Sequence, residues 1–209
     1  MESLRVRFAA TALLALTFAS PAGAAVLNGS FEADVQASSS FCLTFGAPRC
    51  TSLSDWSGEF YIVRGQHPFL ASPEPYPEGQ QIAMIQATNF VRQSVTIATP
   101  GAYELTWWDA GRAGFGGDQD YEVSFDGTVL GSFSTTTNSQ WTRHSLVFSS
   151  VAGTFTLEIR GTKPFGLGDD SALLDDFRLA PFSVPEPDFA ALGIAALMAA
   201  ASGRRLRSR

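Results

Sequence analysis

The chain has 209 residues, 45% of them hydrophobic and 12% aromatic, and a formal charge of −6 at pH 7. That is room for one domain with a real core. An excess of twenty acidic over fourteen basic residues speaks against nucleic acid and anionic membrane surfaces, which demand a positive face, and is compatible with metal ions and neutral sugars.

At the amino end, Arg5 and Arg7 precede an apolar run from 8 to 19, and Ala22-Gly23-Ala24 supplies an A-x-A cleavage site. This is the three-part pattern of a secretory signal, and Pro21 argues against a buried helix instead. The expected division is a signal peptide over 1–24, a working domain over 25–183 and a tail over 184–209. The working domain holds eight basic and seventeen acidic residues, a net −9. Its two cysteines, Cys42 and Cys50, lie in a Ser/Thr/Gly/Pro-containing segment, and in an oxidising compartment they read as a disulfide that pins a loop.

From there the domain reads as all β. Gly and Pro punctuate short runs rich in Val, Ile, Phe, Tyr, Trp and Thr, and no long stretch has helical periodicity. Strands are predicted over 56–63, 80–86, 90–97, 102–110, 120–125, 128–134, 141–148, 154–160 and 172–179. Tyr103, Leu105 and Trp107 share one face against Glu104, Thr106 and Trp108; Tyr121, Val123 and Phe125 oppose Glu122, Ser124 and Asp126. Asp126-Gly127 between two such runs is a hairpin signal, because a type I′ turn needs positive φ at both central residues. The pattern implies an antiparallel β-sandwich, with a jelly roll the favoured topology.

The tail reads Val184-Pro185-Glu186-Pro187, then an apolar run over 189–203, then Arg204, Arg205, Arg207 and Arg209. As a single hydrophobic helix that run spans roughly 22 Å, short of the ~30 Å hydrocarbon core and so a poor permanent anchor. The arginines mark a cytoplasmic flank. These three parts resemble the PEP-CTERM sorting signal. The resemblance implies transient insertion in the inner membrane, recognition by an exosortase-type processing protease, cleavage near the Pro-Glu-Pro, and a cell-surface or extracellular destination in a bacterium that makes exopolysaccharide.

The two ends of the domain carry its most pointed signal. It begins Leu27-Asn28-Gly29-Ser30-Phe31-Glu32, and its last strand contains Leu174-Asp175-Asp176-Phe177. Strict alternation gives Asp175 the parity of Leu173, Phe177 and Leu179, pointing inward, while Asp176 points out. An inward carboxylate is costly unless paired or ligated. These ends, with Thr99-Pro100-Gly101-Ala102-Tyr103-Glu104-Leu105, resemble the jelly-roll carbohydrate-binding modules of the galactose-binding-like superfamily. The resemblance implies one structural Ca²⁺ where the first and last strands meet, with Glu32 and one of Asp175 or Asp176 as side-chain ligands.

For a sugar ligand, an aromatic platform and a few fixed polar groups are needed. Trp108, opposite Trp107, is the candidate platform, with Asp109, Arg112, Asp118 and Asp120 as candidate polar partners. Trp108 filling a second buried layer is the competing reading. An enzyme would need a marked carboxylate pair or a nucleophile beside His67 or His144, and the sequence marks neither. The expectation is therefore a non-catalytic, calcium-stabilised, exported protein that binds extracellular polysaccharide. The alternatives are a structural or adhesive matrix protein without a defined ligand, and a polysaccharide-active hydrolase.

Overall fold

The computed structural model describes residues 24–37, 40–46, 49–50, 53–65, 73–114, 117–164 and 170–183. The readings made for the leader, for the Val184-Pro185-Glu186-Pro187 motif and for the carboxyl-terminal helix lie outside those residues. Among the described residues no helix is long and apolar enough to cross a membrane.

Among the described residues there are eleven strands: β1 Ser40–Leu43, β2 Ser57–Glu59, β3 Tyr61–Arg64, β4 Gln81–Gln86, β5 Phe90–Ile97, β6 Gly101–Gly111, β7 Gln119–Phe125, β8 Thr128–Thr135, β9 Thr142–Ser150, β10 Gly153–Gly161 and β11 Ser171–Pro181. One sheet has the order β1-β3-β4-β11-β6-β9 and the other β2-β5-β10-β7-β8, and all the strand pairs are antiparallel. The two sheets face each other as an antiparallel sandwich of jelly-roll type, as the alternation of the sequence implies. Leu105, Trp107, Tyr121, Val123, Leu157 and Phe177 fill the space between them, each of these burials contributing roughly 1.5–3 kcal/mol.

Several elements arise directly from local chemistry. Asp126 and Gly127 adopt φ of 49° and 77°, the mirror-image turn that matches strand twist. Cys42 and Cys50 are joined. β4 carries an unbroken apolar run over 82–85, buried on both faces. Its Ala83 and Ile85 enter the inter-sheet core, while Ile82 and Met84 join a second cluster with Val63, Ala110 and Leu173. Tyr76 and Trp141 pack against that cluster, their rings 6.2 Å apart and edge to face. Trp141 Nε1 donates to Pro73 O at 2.8 Å. One half of the outer face of the six-stranded sheet is thereby covered.

Three departures from simple alternation shape the region where the two ends of the domain meet. The predicted strand over 56–63 breaks at the fully buried Phe60, so β2 pairs with β5 in one sheet and β3 with β4 in the other. Thr44 Oγ1 holds the corner, accepting from Phe60 N at 2.9 Å and donating to Gly58 O at 2.7 Å. β1 occupies part of the segment read as a loop. In β11 the register with β6 slips between Asp175 and Arg178, with Asp176 at φ 51°. This bulge resets the side-chain parity. Ala172 and Leu174 point between the sheets before it, Phe177 and Leu179 after it. Asp175 thus shares the outer face with Leu173, contrary to the alternation expected for it. It is nonetheless fully buried, beneath the segment that precedes β4.

Candidate functional site

The amino-terminal segment is tied to both sheets. Gln93 on β5 clasps the backbone of Leu27, accepting from its N at 2.7 Å and donating to its O at 2.8 Å. Phe177 N on β11 donates to Gly29 O at 3.0 Å. A Cβ on Gly29 would lie 2.0 Å from Phe177 O, so only glycine permits this approach. Phe31 then inserts its ring among Trp56, Phe60 and Phe177, at centroid distances of 5.2 to 6.4 Å.

Glu32, directly after that anchor, reaches the turn before β4. Its Oε1 accepts from Gln80 N and Gln81 N, both at 2.6 Å. Gly79, at φ +63°, has no room for a side chain, because a Cβ there would lie 2.2 Å from the same oxygen. Beside it in the turn, Glu78 N donates to Asp175 Oδ2 at 3.0 Å, and Asp176 N donates to Asp175 Oδ1 at 2.7 Å. Glu32, Glu78, Asp175 and Asp176 therefore meet where the first segment, the 78–81 turn and the last strand join.

Charge is poorly balanced there. Arg178 Nε lies 2.6 Å from Asp176 Oδ1, and Arg178 Nη2 lies 3.5 Å from Glu78. The Asp175 carboxyl is pushed up to about 8, chiefly by burial and further by the charges of Asp176 and Glu32, against the pull of two backbone amides. Partial burial and Asp176 also raise Glu78. The oxygen-rich donor chemistry suits a hard cation. Yet Glu32 and Asp175 are turned to backbone amides and Asp176 to Arg178, and among the described residues no three acidic, histidine or cysteine side chains converge to hold a metal ion. Beside this junction is a pocket of about 320 Å³, bordered by Arg64, Glu74, Tyr76, Gly79 and Gln80. The Arg64 guanidinium is engaged with Gln36 O at 2.5 Å and Gln80 Oε1 at 2.9 Å.

The proposed sugar-contacting residues do not form one site. Trp108 is half-buried on the outer face of the six-stranded sheet, its cross-strand neighbours Asp175 on β11 and Arg143 on β9. Beyond it on the same face, Ser145 Oγ donates to Glu104 Oε1 at 2.6 Å, and Arg143 and Arg178 are exposed. Asp109 points the other way, into the core, only 4% exposed. It accepts from Tyr121 OH at 2.7 Å and lies 2.9 Å from His144 Nε2. Tyr121 OH in turn accepts from Trp107 Nε1 at 3.0 Å, and His144 stacks on Trp107 at 5.2 Å. Burial and the adjacent Asp109 charge drive the Tyr121 phenol far above its usual range. Asp109 therefore holds the interior together rather than facing a ligand, and His144 turns inward. Arg112 is buried at 6%. Asp118 is exposed and Asp120 half-buried; Asp118 O takes a hydrogen bond from Lys163, and Asp120 belongs to the five-stranded sheet.

No family model matches the sequence, and no curated protein does. Among solved structures, the chain is similar to the CBM22-1 xylan-binding domain from Paenibacillus barcinonensis Xyn10C, at 16% identity and a TM-score of 0.46, over 79% of this chain and 100% of that one. It is similar to a family 16 carbohydrate-binding module (15%, TM-score 0.43, 74% and 98%). A family 35 carbohydrate-binding module from Clostridium thermocellum matches at 12% and 0.42, over 54% of this chain and 87% of that one. The neighbours are thus carbohydrate-binding modules, loosely superimposed and at low identity.

Proposed function

We propose that this protein is exported, sorted at the cell envelope and binds extracellular polysaccharide without catalysing a reaction on it. The observation that carries the binding reading is Trp108. It is the large aromatic side chain left partly exposed on the outer face of β6, between a buried carboxylate and the exposed Arg143. An indole ring offers the C–H face of a pyranose a flat apolar surface, and Arg143, Arg178, Ser145 and Glu104 supply polar groups around it. Asp109, Tyr121 and His144 face one another between the sheets rather than an open cleft, which supports the non-catalytic reading.

Trp108→Ala tests this directly. In affinity electrophoresis through gels containing soluble polysaccharides, the wild-type chain is expected to be retarded by at least one of them. The variant is expected to lose that retardation while keeping its circular dichroism spectrum, with a lowered melting temperature because much of the indole is buried. Retardation undiminished in the variant removes Trp108 from the account. The address is tested separately, by mass spectrometry of the exported chain. Termini after Ala24 and near Pro185-Glu186 are expected, and intact terminal arginines on the surface form refute processing.

Calcium belongs to the same proposal. A cation at the acidic junction would be held by Glu32 and Asp175 with backbone carbonyls, Asp176 being engaged by Arg178. Its chemistry there would be structural: it would take the place of the proton held by the buried Asp175 and join the first segment to the last strand.

A further inference from the structure

Among the described residues the sandwich has four edge strands, β1 and β9 in one sheet and β2 and β8 in the other. An open edge is a template for another strand, and folded proteins usually blunt it by shortness, covering, charge or a bulge. Three of these edges are blunted. β1 is four residues long and is flanked by 49–50, through a Leu43–Arg49 bridge, a Cys50 N to Leu43 O bond of 3.0 Å and the disulfide. β2 has three residues. β8 carries a register slip against Val123 and Ser124 of β7. Among the described residues β9 is neither short, covered nor bulged, and its one charge, Arg143, lies near its end: nine residues run in unbroken register with β6, from Thr142 opposite Asp109 to Ser150 opposite Gly101. From Ser145 to Val151 the sequence has no charge, proline or glycine.

One hydrogen bond shows which β9 backbone groups are free. Phe182 N donates to Ala102 O at 2.8 Å, so Ala102 directs its backbone groups toward β11. Along a regular antiparallel strand this direction alternates. Glu104, Thr106 and Trp108 share the direction of Ala102, whereas Tyr103, Leu105 and Trp107 turn to β9 and bond Phe148, Leu146 and His144. The residues between them, Arg143, Ser145, Val147 and Ser149, direct N–H and C=O away from the sheet. Val147, at the centre, is 51% exposed.

We propose that β9 pairs antiparallel with β9 of a second copy of this chain, about a twofold axis at Val147, extending the six-stranded sheet across both molecules. The edge is self-complementary in that register. Val147 meets Val147, Ser145 meets Ser149, and Arg143 meets the uncharged Val151, so no like charges oppose. The rest of the domain is acidic enough to repel its own copies, and this stretch lacks that charge. A nine-residue edge is ~30 Å long and ~10 Å deep, covering on the order of 300 Å² per partner. A standard interface takes ~800 Å², so the pairing is reversible and rises with concentration.

Sedimentation velocity of the full chain over a dilution series, together with cysteine cross-linking, tests the proposal. The wild type is expected to shift from monomer toward dimer with concentration. Val147→Pro removes an N–H that the sheet does not use, so it is expected to stay monomeric with an unchanged circular dichroism spectrum and melt. Should that variant fail to fold, Val147→Lys places two ammonium groups at the axis and is expected to weaken association at least tenfold at low salt. Because the native cysteines are paired with each other, added ones report register. Val147→Cys is expected to link to itself, since a hydrogen-bonded pair sits ~5.5 Å apart at Cα, within disulfide reach. Ser145→Cys is expected to link to Ser149→Cys but not to itself. A wild type that stays monomeric at the highest concentration overturns the proposal. So does a Val147→Pro chain that associates like the wild type, as it would if the tail or another surface were responsible, and so does Ser145→Cys linking to itself.

Discussion

Tyr121→Phe removes a single oxygen, and the structure assigns that oxygen two obligations. It accepts from Trp107 Nε1 at 3.0 Å and donates to Asp109 Oδ2 at 2.7 Å. Trp107 and Tyr121 have no exposed surface and Asp109 has 4%, so water does not readily take the hydroxyl's place. Each buried group left without a partner costs ~1–3 kcal/mol, and more when it is charged. The orphaned indole N–H and carboxylate oxygen together set the expected loss at about 3–5 kcal/mol. A substitution on an open surface stays within about 0.5 kcal/mol. Domains of this kind hold ~5–15 kcal/mol in total, so the variant is expected to fold, with a much lower denaturation midpoint. Urea unfolding monitored by tryptophan fluorescence measures this, the slope serving as the check that the unfolded state is unchanged. A loss below ~1 kcal/mol at constant slope refutes the assignment of Asp109 to the interior, and with it the separation of Asp109 from the Trp108 surface.

Other outcomes concern the junction and its glycine. The Asp175 carboxyl stands at about 8 in the fold against an ordinary 3.8, so folding takes up a proton between those values. The stability it supplies is complete below 3.8 and is lost as the pH rises through 8, at no more than ~1.4 kcal/mol per pH unit; in chelator-containing buffer, Asp175→Asn is expected to flatten that slope in urea melts, and equal slopes refute it. Added calcium is expected to raise the wild-type melting temperature, with a gain of ~2.7 kcal/mol at a hundred times the dissociation constant. Glu32→Gln is expected to lose the increment, and a wild-type melt insensitive to calcium and to chelator removes the ion from the proposal. Gly29→Ala drives a methyl group against Phe177 O and is expected to cost at least ~1–3 kcal/mol, as overpacking does; an unchanged urea midpoint shows that the amino-terminal segment is not held there.

The sequence foretold the strands that bury one face. Tyr103, Leu105 and Trp107 alternate into the core as their spacing implies, and so do Tyr121, Val123 and Phe125. The same alternation already placed Asp109 with Trp107 and Leu105, on the core side, so its interior role was available from parity alone. Its partners were not, because a phenol on β7 and an imidazole on β9 meet it only through the packing of two sheets. Asp175 defeats counting by twos for a different reason. An aspartate tolerates positive φ, and Asp176 uses that tolerance to shift the parity of everything after it. Phe60 hides a sheet-to-sheet corner within one continuous β-like run, and β1 is too short to carry a period. That β9 is an edge is a fact of topology, although its uncharged run is plain in the sequence.

The bulge at Asp176 also relates the acidic junction to the open half of the sheet. Without it, Asp175 and Phe177 would share a face, and either the carboxylate would enter the core or the phenyl ring would leave it. With it, Phe177 stacks on Trp107 at 6.3 Å, the two rings 8° from parallel, while Asp175 emerges beside Trp108 and receives Glu78 N. The 78–81 turn is thus pinned one strand away from the tryptophan proposed to carry the ligand. An inversion that looks like a local irregularity in β11 serves the interior and the exterior together, letting one strand supply a core aromatic and, two residues earlier, the acid that fixes the covering turn.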